Sequence, residues 1–206
     1  NAYTGAFNDG GYIINVGDIT IGESTATLGG GSVTFGATGQ LIVSGHYTSK
    51  RYPSTFDQDH LLKMTGTSKN LYAYYNGSGN PTFGKLTIAA NASITNTSTY
   101  TWRTQGTFLA ETGSSFVHNS SQRIALCYNI NNLKADIKLE GTASVSGTGQ
   151  ISFTGRKSND SWVDIADTAT FSPSLLKVNG YRCGLKPGTY DCDIQFDDYA
   201  ANIIYF

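Results

Sequence analysis

The strongest constraint on this chain is a spacing that recurs along it. In Ile137 to Gly147, IKLEGTASVSG, Ile137 and Leu139 alternate with polar residues, Ala143 is a small residue six positions after the first, and Val145 is apolar eight positions after it. Alternation puts every second side chain on one face of an extended segment, and a small residue lets the backbone turn sharply. The spacing therefore writes strand, tight corner, strand. The same register fits Val33, Phe35, Gly39 and Leu41, then Leu86, Ile88, Ala92 and Ile94, and again Val163, Ile165, Ala169 and Phe171. Phe108, Ala110, Ser114 and Phe116 form a looser copy. Leu62, Met64 and Ser68 form a poor one with Asn70 in the last apolar place, and Ile19 and Ile21 open a copy whose corner is one residue longer.

From residue 33 onward the copies begin 22 to 29 residues apart, and a period in the twenties is the mark of a solenoid. Stacked coils would bury columns of Val, Ile, Leu and Phe, each inward side chain contributing roughly 1.5 to 3 kcal/mol. The expected fold is all-β: a β-solenoid of stacked short strands with a C-terminal β cap. The alternative is a β-sandwich or jelly roll, whose antiparallel strands also alternate. Three segments are expected: an N-terminal arm over 1–12, a β-repeat domain over 13–175 with its first strand at Ile13 to Val16, and a cap or assembly element over 176–206. In that last segment GLKPGTYDCDIQF reads as a hairpin and YAANIIYF as a final strand, because Pro187 and Gly188 signal a turn.

Charged residues make up 14% of the 206, against roughly 25% in an average globular chain. Polar surface must therefore come from Ser, Thr, Asn and Gly. Hydrophobic residues at 39%, with 13 Tyr and 10 Phe, are enough for a core, which excludes a disordered chain. Lys plus Arg number 14 against 15 for Asp plus Glu, and the one dense basic cluster, Lys50 with Arg51, is too small for the basic face that a nucleic-acid partner needs. No apolar run reaches the ~20 residues of a bilayer helix, so membrane insertion is not expected. The chain opens at Asn1 without a Met or a hydrophobic leader, as a processed or excerpted mature chain would. The profile is that of an extracellular, cell-surface or virion-surface β-protein.

His46, His60 and His118 are scattered and no two of the 3 cysteines are separated by two residues, so neither a metal nor another cofactor is expected. Cys183 and Cys192 could face each other across the predicted hairpin and close a disulfide; the alternative is three reduced thiols. Asn76, Asn91, Asn96, Asn119 and Asn159 each begin N-x-S/T and are candidate glycosylation sites.

The stretch 46–61, HYTSKRYPSTFDQDHL, breaks the repeat and gathers Tyr47, Arg51, Tyr52, Phe56, Asp57, Asp59 and His60. An insertion into a solenoid commonly sits on the binding face, so these are candidate binding residues; a solvated loop is the alternative. Tyr72 and Tyr74 share a strand face and, with Trp102, are either core or a platform on which sugar rings stack. Gly79 to Lys85 approaches a phosphate loop, but Leu86 stands where Ser or Thr must bind magnesium. No Ser sits in G-x-S-x-G, and Asp136, Glu140 and Asp164 fall at outward positions of the repeat. No catalytic residue is expected.

The units VTFGATGQLIV, LTIAANASITN and VDIADTATFSP resemble coils of the parallel β-helix proteins found in autotransporter passengers, filamentous surface adhesins and phage tailspikes, in outline over 13–175. The resemblance implies an elongated, secreted or virion-borne protein that binds surfaces or assembles, and it transfers no catalytic residue. The first expectation is a non-catalytic extracellular structural or adhesive subunit of a filament, fibre or surface layer, self-associating into a homo-oligomer or filament. The alternatives are a phage tail module that recognises host cell-surface glycans, and a polysaccharide hydrolase or lyase.

Overall fold

The structure, a computed structural model, describes residues 7–21, 33–49, 55–73, 82–128, 135–155, 160–180, 182–197 and 204–205. The chain first runs through β1 (Phe7–Asn8), β2 (Ile13–Val16), β3 (Ile19–Ile21), β4 (Val33–Phe35), β5 (Gln40–Val43) and β6 (Tyr47–Ser49). It continues through β7 (Thr55–Phe56), β8 (Leu61–Met64), β9 (Lys69–Ala73), β10 (Thr82–Phe83), β11 (Lys85–Ile88) and β12 (Ser93–Asn96). Then come β13 (Trp102–Thr104), β14 (Phe108–Ala110), β15 (Ser115–His118), β16 (Ile124–Leu126), β17 (Ile137–Leu139) and β18 (Ser144–Gly155). The last are β19 (Ser161–Ile165), β20 (Thr170–Gly180), β21 (Cys183–Leu185), β22 (Asp193–Phe196) and β23 (Ile204–Tyr205).

Strands return to the same side once per coil. A first face is one nine-stranded parallel sheet in the order β2-β5-β8-β11-β14-β17-β19-β21-β23. A second face stacks β3, β6, β9, β12, β15 and the opening halves of β18 and β20. The third side holds β1-β4-β7 as one sheet, then β10, β13, β16, the closing halves of β18 and β20, and β22. All of these pairings are parallel, as in a β-solenoid and unlike an antiparallel sandwich.

Register explains why the repeat is visible. Leu62, Leu86, Phe108, Ile137 and Val163 lie directly over one another on the first face. Ile94, Phe116, Val145 and Phe171 do the same on the second. All are buried, so like positions of successive coils fill one column and keep apolar surface out of water along its length.

The small residue acts differently from the expectation. Four-residue turns close with Ala92, Ser114, Ala143 and Ala169 donating back to Ala89, Glu111, Glu140 and Ala166. The bend itself is made by the exposed residues before them, as at Thr112–Gly113, where Gly113 has φ 74°. Ala92, Ser114, Ala143 and Ala169 are themselves buried, at inward positions just after the bend.

Three expectations are corrected. The copy at Val33 is out of phase: β4 lies on the third side, and the residue that stacks on Leu62 is Leu41. Its turn, Gly36 to Gly39, resembles the others but occupies a different corner. The arm over 1–12 is part of the stack where it is described, since β1 pairs with β4 and the Asp9 side chain is fully buried. The C-terminal hairpin does not form; β21 joins the first face and β22 pairs in parallel with β20 on the third side.

Column stacking predicts a sharp contrast in chemical denaturation. Phe116→Ala should cost about 3–5 kcal/mol, whereas Thr95→Ala, on the outward side of the neighbouring strand, should stay within about 0.5 kcal/mol.

Candidate functional site

Most of the aromatic candidates face inward. Tyr47 in β6 is fully buried and meets Phe83 edge-on at 5.5 Å. Phe56 stacks on Phe35 at 4.3 Å and tilts against Phe83 at 5.2 Å, and Phe83 in turn meets Trp102 at 5.4 Å. These rings are one interior column, so Tyr47, Phe56 and Trp102 are not available to a ligand at the surface. The apparent loop at 46–61 includes two strand segments, β6 and β7, and a turn closed by the His60 N–H on Asp57. Arg51, Tyr52 and Tyr74 lie outside the described residues, as do Asn76 and Asn159. Tyr72 is half-buried beside Thr48, with which it is in register on the second face.

His60 is also interior. Its Nε2 lies 3.0 Å from Asp9 Oδ2 with both side chains out of solvent. Burial lowers the histidine below its ordinary value although Asp9 and Asp57 act against it. Burial would raise Asp9, but N–H groups of Gly36 and Gly11 and the neighbouring His60 together hold it below the usual carboxylate range. The pair ties the first coil to the third. Asp57 and Asp59 are exposed: Asp57 Oδ1 accepts the Asp59 N–H, and Asp59 pairs with Lys85 at 2.8 Å.

The sequons separate by burial. Asn91 and Asn119 are exposed. Asn96 is buried: its Oδ1 accepts the Trp102 indole N–H and the Ser98 N–H, each at 3.1 Å, and its Nδ2 lies 2.8 Å from His118 Nδ1. A glycan cannot be accommodated there in the folded chain. Cys183 and Cys192 do not face each other across a hairpin either. The Cys183 thiol points to the Asn179 carbonyl at 3.6 Å, and all three cysteines are thiols. Burial pushes Cys192 up to about 11 and Cys127 further still.

The outer surfaces of the first and second faces differ in character. On the first face Lys63 reaches over the coil carrying buried Thr87 to pair with Glu111 at 2.7 Å. That hydrogen bond, with help from the Ala90 N–H and against the effect of burial, keeps Glu111 below the usual carboxylate range. Further along, Lys138 pairs with Glu140 at 2.7 Å and Lys186 with Asp164 at 2.6 Å. The bond that Lys138 donates to Glu140 raises the lysine, with smaller contributions from Asp164 and Asp136. Half-buried Trp162 sits in register with Gly184, and its backbone N–H donates to Asp136 Oδ1 at 2.8 Å. Trp162 was missed from the sequence because it precedes a repeat copy by one position and reads as part of a strand.

The second face is different in kind. Ser93, Ser115, Ser144 and Thr170 form one column, and Thr95, Val117, Ser146 and Ser172 the next. It carries no charge along these columns. Among the described residues, no group of three His, Cys, Asp or Glu side chains is placed to hold a metal ion, and no helix is long and apolar enough to cross a membrane.

The fold defines the class: a parallel β-solenoid. Comparison with protein-family models, curated proteins and solved structures finds no match.

Burial at the sequons gives a direct expectation. In a glycosylating host, glycopeptide mass spectrometry of the folded, soluble fraction should find glycan at Asn91 or Asn119 and none at Asn96.

Proposed function

We propose that the chain is a non-catalytic structural and adhesive rod, a subunit of a filament, fibre or surface layer outside the cell. The carrying observation is the uninterrupted in-register stack of nine strands on one face, flanked by a face of short uncharged side chains. Such a stack resists bending, because deforming it would part several buried columns at once. The hydroxyl face offers repeated weak contacts to a partner surface without the long-range field of a charged one. Low charge overall, at 14% of residues, fits the same role.

Assembly would run end to end. At the first coil Tyr12 is 75% exposed and Ile13 is 59% exposed, and a strand edge presenting apolar side chains recruits another strand. The glycan-recognition reading of a phage tail module is favoured by one observation, the half-buried Trp162 on the outer first face near the Lys138 and Asp164 ladder. The hydrolase reading is weaker, since Glu140 and Asp164 are each engaged by a lysine.

Negative-stain images of concentrated protein should contain rods lengthening in steps of about 40 Å, from nine strands at the usual spacing of ~4.8 Å. A discrete monomer by light scattering at high concentration would reject the assembly. On a glycan array, binding that disappears with Trp162→Ala would move the assignment to glycan recognition.

A further inference from the structure

One inner corner of the solenoid is polar, and it is built so that the hydrogen bonds of Asn96 can be satisfied in a single arrangement. Asn96 and His118 occupy the same register position on β12 and β15, at the end of the second face. Both are buried, as are Ser98 and Trp102. The Ala73 N–H donates to Ser98 Oγ at 2.8 Å, and the Ser98 N–H and Trp102 Nε1–H both donate to Asn96 Oδ1. Two donors on one amide oxygen fix which way Asn96 points. Its nitrogen must then face His118 Nδ1, at 2.8 Å, and that ring atom must supply the lone pair.

The neutral ring with hydrogen on Nε2 satisfies the contact with Asn96, while Nε2 itself is buried and makes no hydrogen bond. A proton on Nδ1 would set N–H against N–H. Rotating the Asn96 amide repairs that contact and turns its NH2 group onto the Trp102 and Ser98 donors instead. No orientation of Asn96 serves all three neighbours when the imidazole is charged. The ring has little room to swing away either. Gly149 crosses it so closely that a Cβ there would overlap Cδ2 and Nε2, and Gly147, at φ 121°, packs on the His118 carbonyl.

We propose that the Asn96–His118 contact is an acid-sensitive latch, and that taking up a proton at His118 Nδ1 releases the corner joining β12, β15 and β18, opening the solenoid locally in its middle. The groups that face the ring are uncharged: Asn96 from β12, Gly147 and Gly149 from β18, and the backbone of Gln122 and Gln150. Burial holds His118 below its ordinary value despite those two backbone groups. The unfolded chain therefore binds the proton first. Stability contributed by the neutral ring is present above the ordinary value of 6.5 and is lost as pH falls below it. His60 is a different case, since Asp9 and Asp57 lie against it and favour its charged form.

The test uses the 15N-labelled 206-residue chain, whose 2 tryptophans give two indole signals. Exchange of the Trp102 indole hydrogen, normalised to Trp162, should accelerate by about tenfold between about pH 7 and about pH 5 in the native sequence. In His118→Asn, whose carbonyl can accept from Asn96 without titrating, the ratio should stay constant, and in His60→Asn it should still accelerate. Should His118→Asn fail to fold, the imidazole 15N shifts of the native chain carry the decision. Nδ1 should remain unprotonated for as long as Trp102 stays protected. Protonation of Nδ1 near pH 6.5 with Trp102 protection unchanged would overturn the latch, as would undiminished acid acceleration in His118→Asn.

Discussion

The structure depends on one constraint: side chains at the same coil position must share a column. In a parallel stack each strand lies ~4.8 Å from the next, which is contact distance for apolar side chains. Leu62 therefore supports Leu86, which supports Phe108, and so on to Val163. A coil displaced by one residue would turn its inward set to solvent. Coils from Leu62 to Val163 are unequal in length, at 22 to 29 residues, without disturbing that register. The sheets themselves stay aligned from β2 to β23.

Two buried polar clusters interrupt the apolar interior. Asp9 and His60 join distant coils near one end of the stack, and Asn96, Ser98, Trp102 and His118 join coils in the middle. Buried polar groups cost little when every partner is present and much when one is missing. They hold the stack together at ordinary pH and confine its acid sensitivity to a few positions. On the outside, ion pairs such as Lys63–Glu111 and Lys186–Asp164 run from coil to coil. Being solvated, they add little stability and serve mainly to keep one face soluble.

The fold was legible from the repeat as a whole, poor and loose copies included. Five copies, beginning at Leu62, Leu86, Phe108, Ile137 and Val163, are one column in space. The copy at Val33 misled because two corners of the solenoid use the same four-residue turn, so identical local writing appears in two phases. The candidate site was less legible. Tyr47, Phe56, His60 and Trp102 stand close to charged or loop-forming residues in sequence, yet they point inward. Their partners, including Asp9 for His60 and Asn96 for Trp102, are set by coil-to-coil packing. No spacing rule in the sequence reveals those contacts. The reverse error was Trp162, which local alternation assigns to a strand without saying that its ring lies on an outer face.

A solenoid of this kind separates two tasks that a globular domain mixes. Its interior is committed to stacking, and its function must be carried by flat outer faces and by the ends. The central claim is the in-register parallel stack, and cross-linking tests it most directly. Neighbouring parallel strands hold Cα atoms near ~5 Å, within disulfide range. Thr95→Cys with Val117→Cys, which are in register on the second face, should oxidise to an intramolecular disulfide, and Val117→Cys with Ser146→Cys should do the same one coil further on. Failure of both pairs under oxidising conditions, with the chain folded, would contradict the stack and restore an antiparallel sandwich.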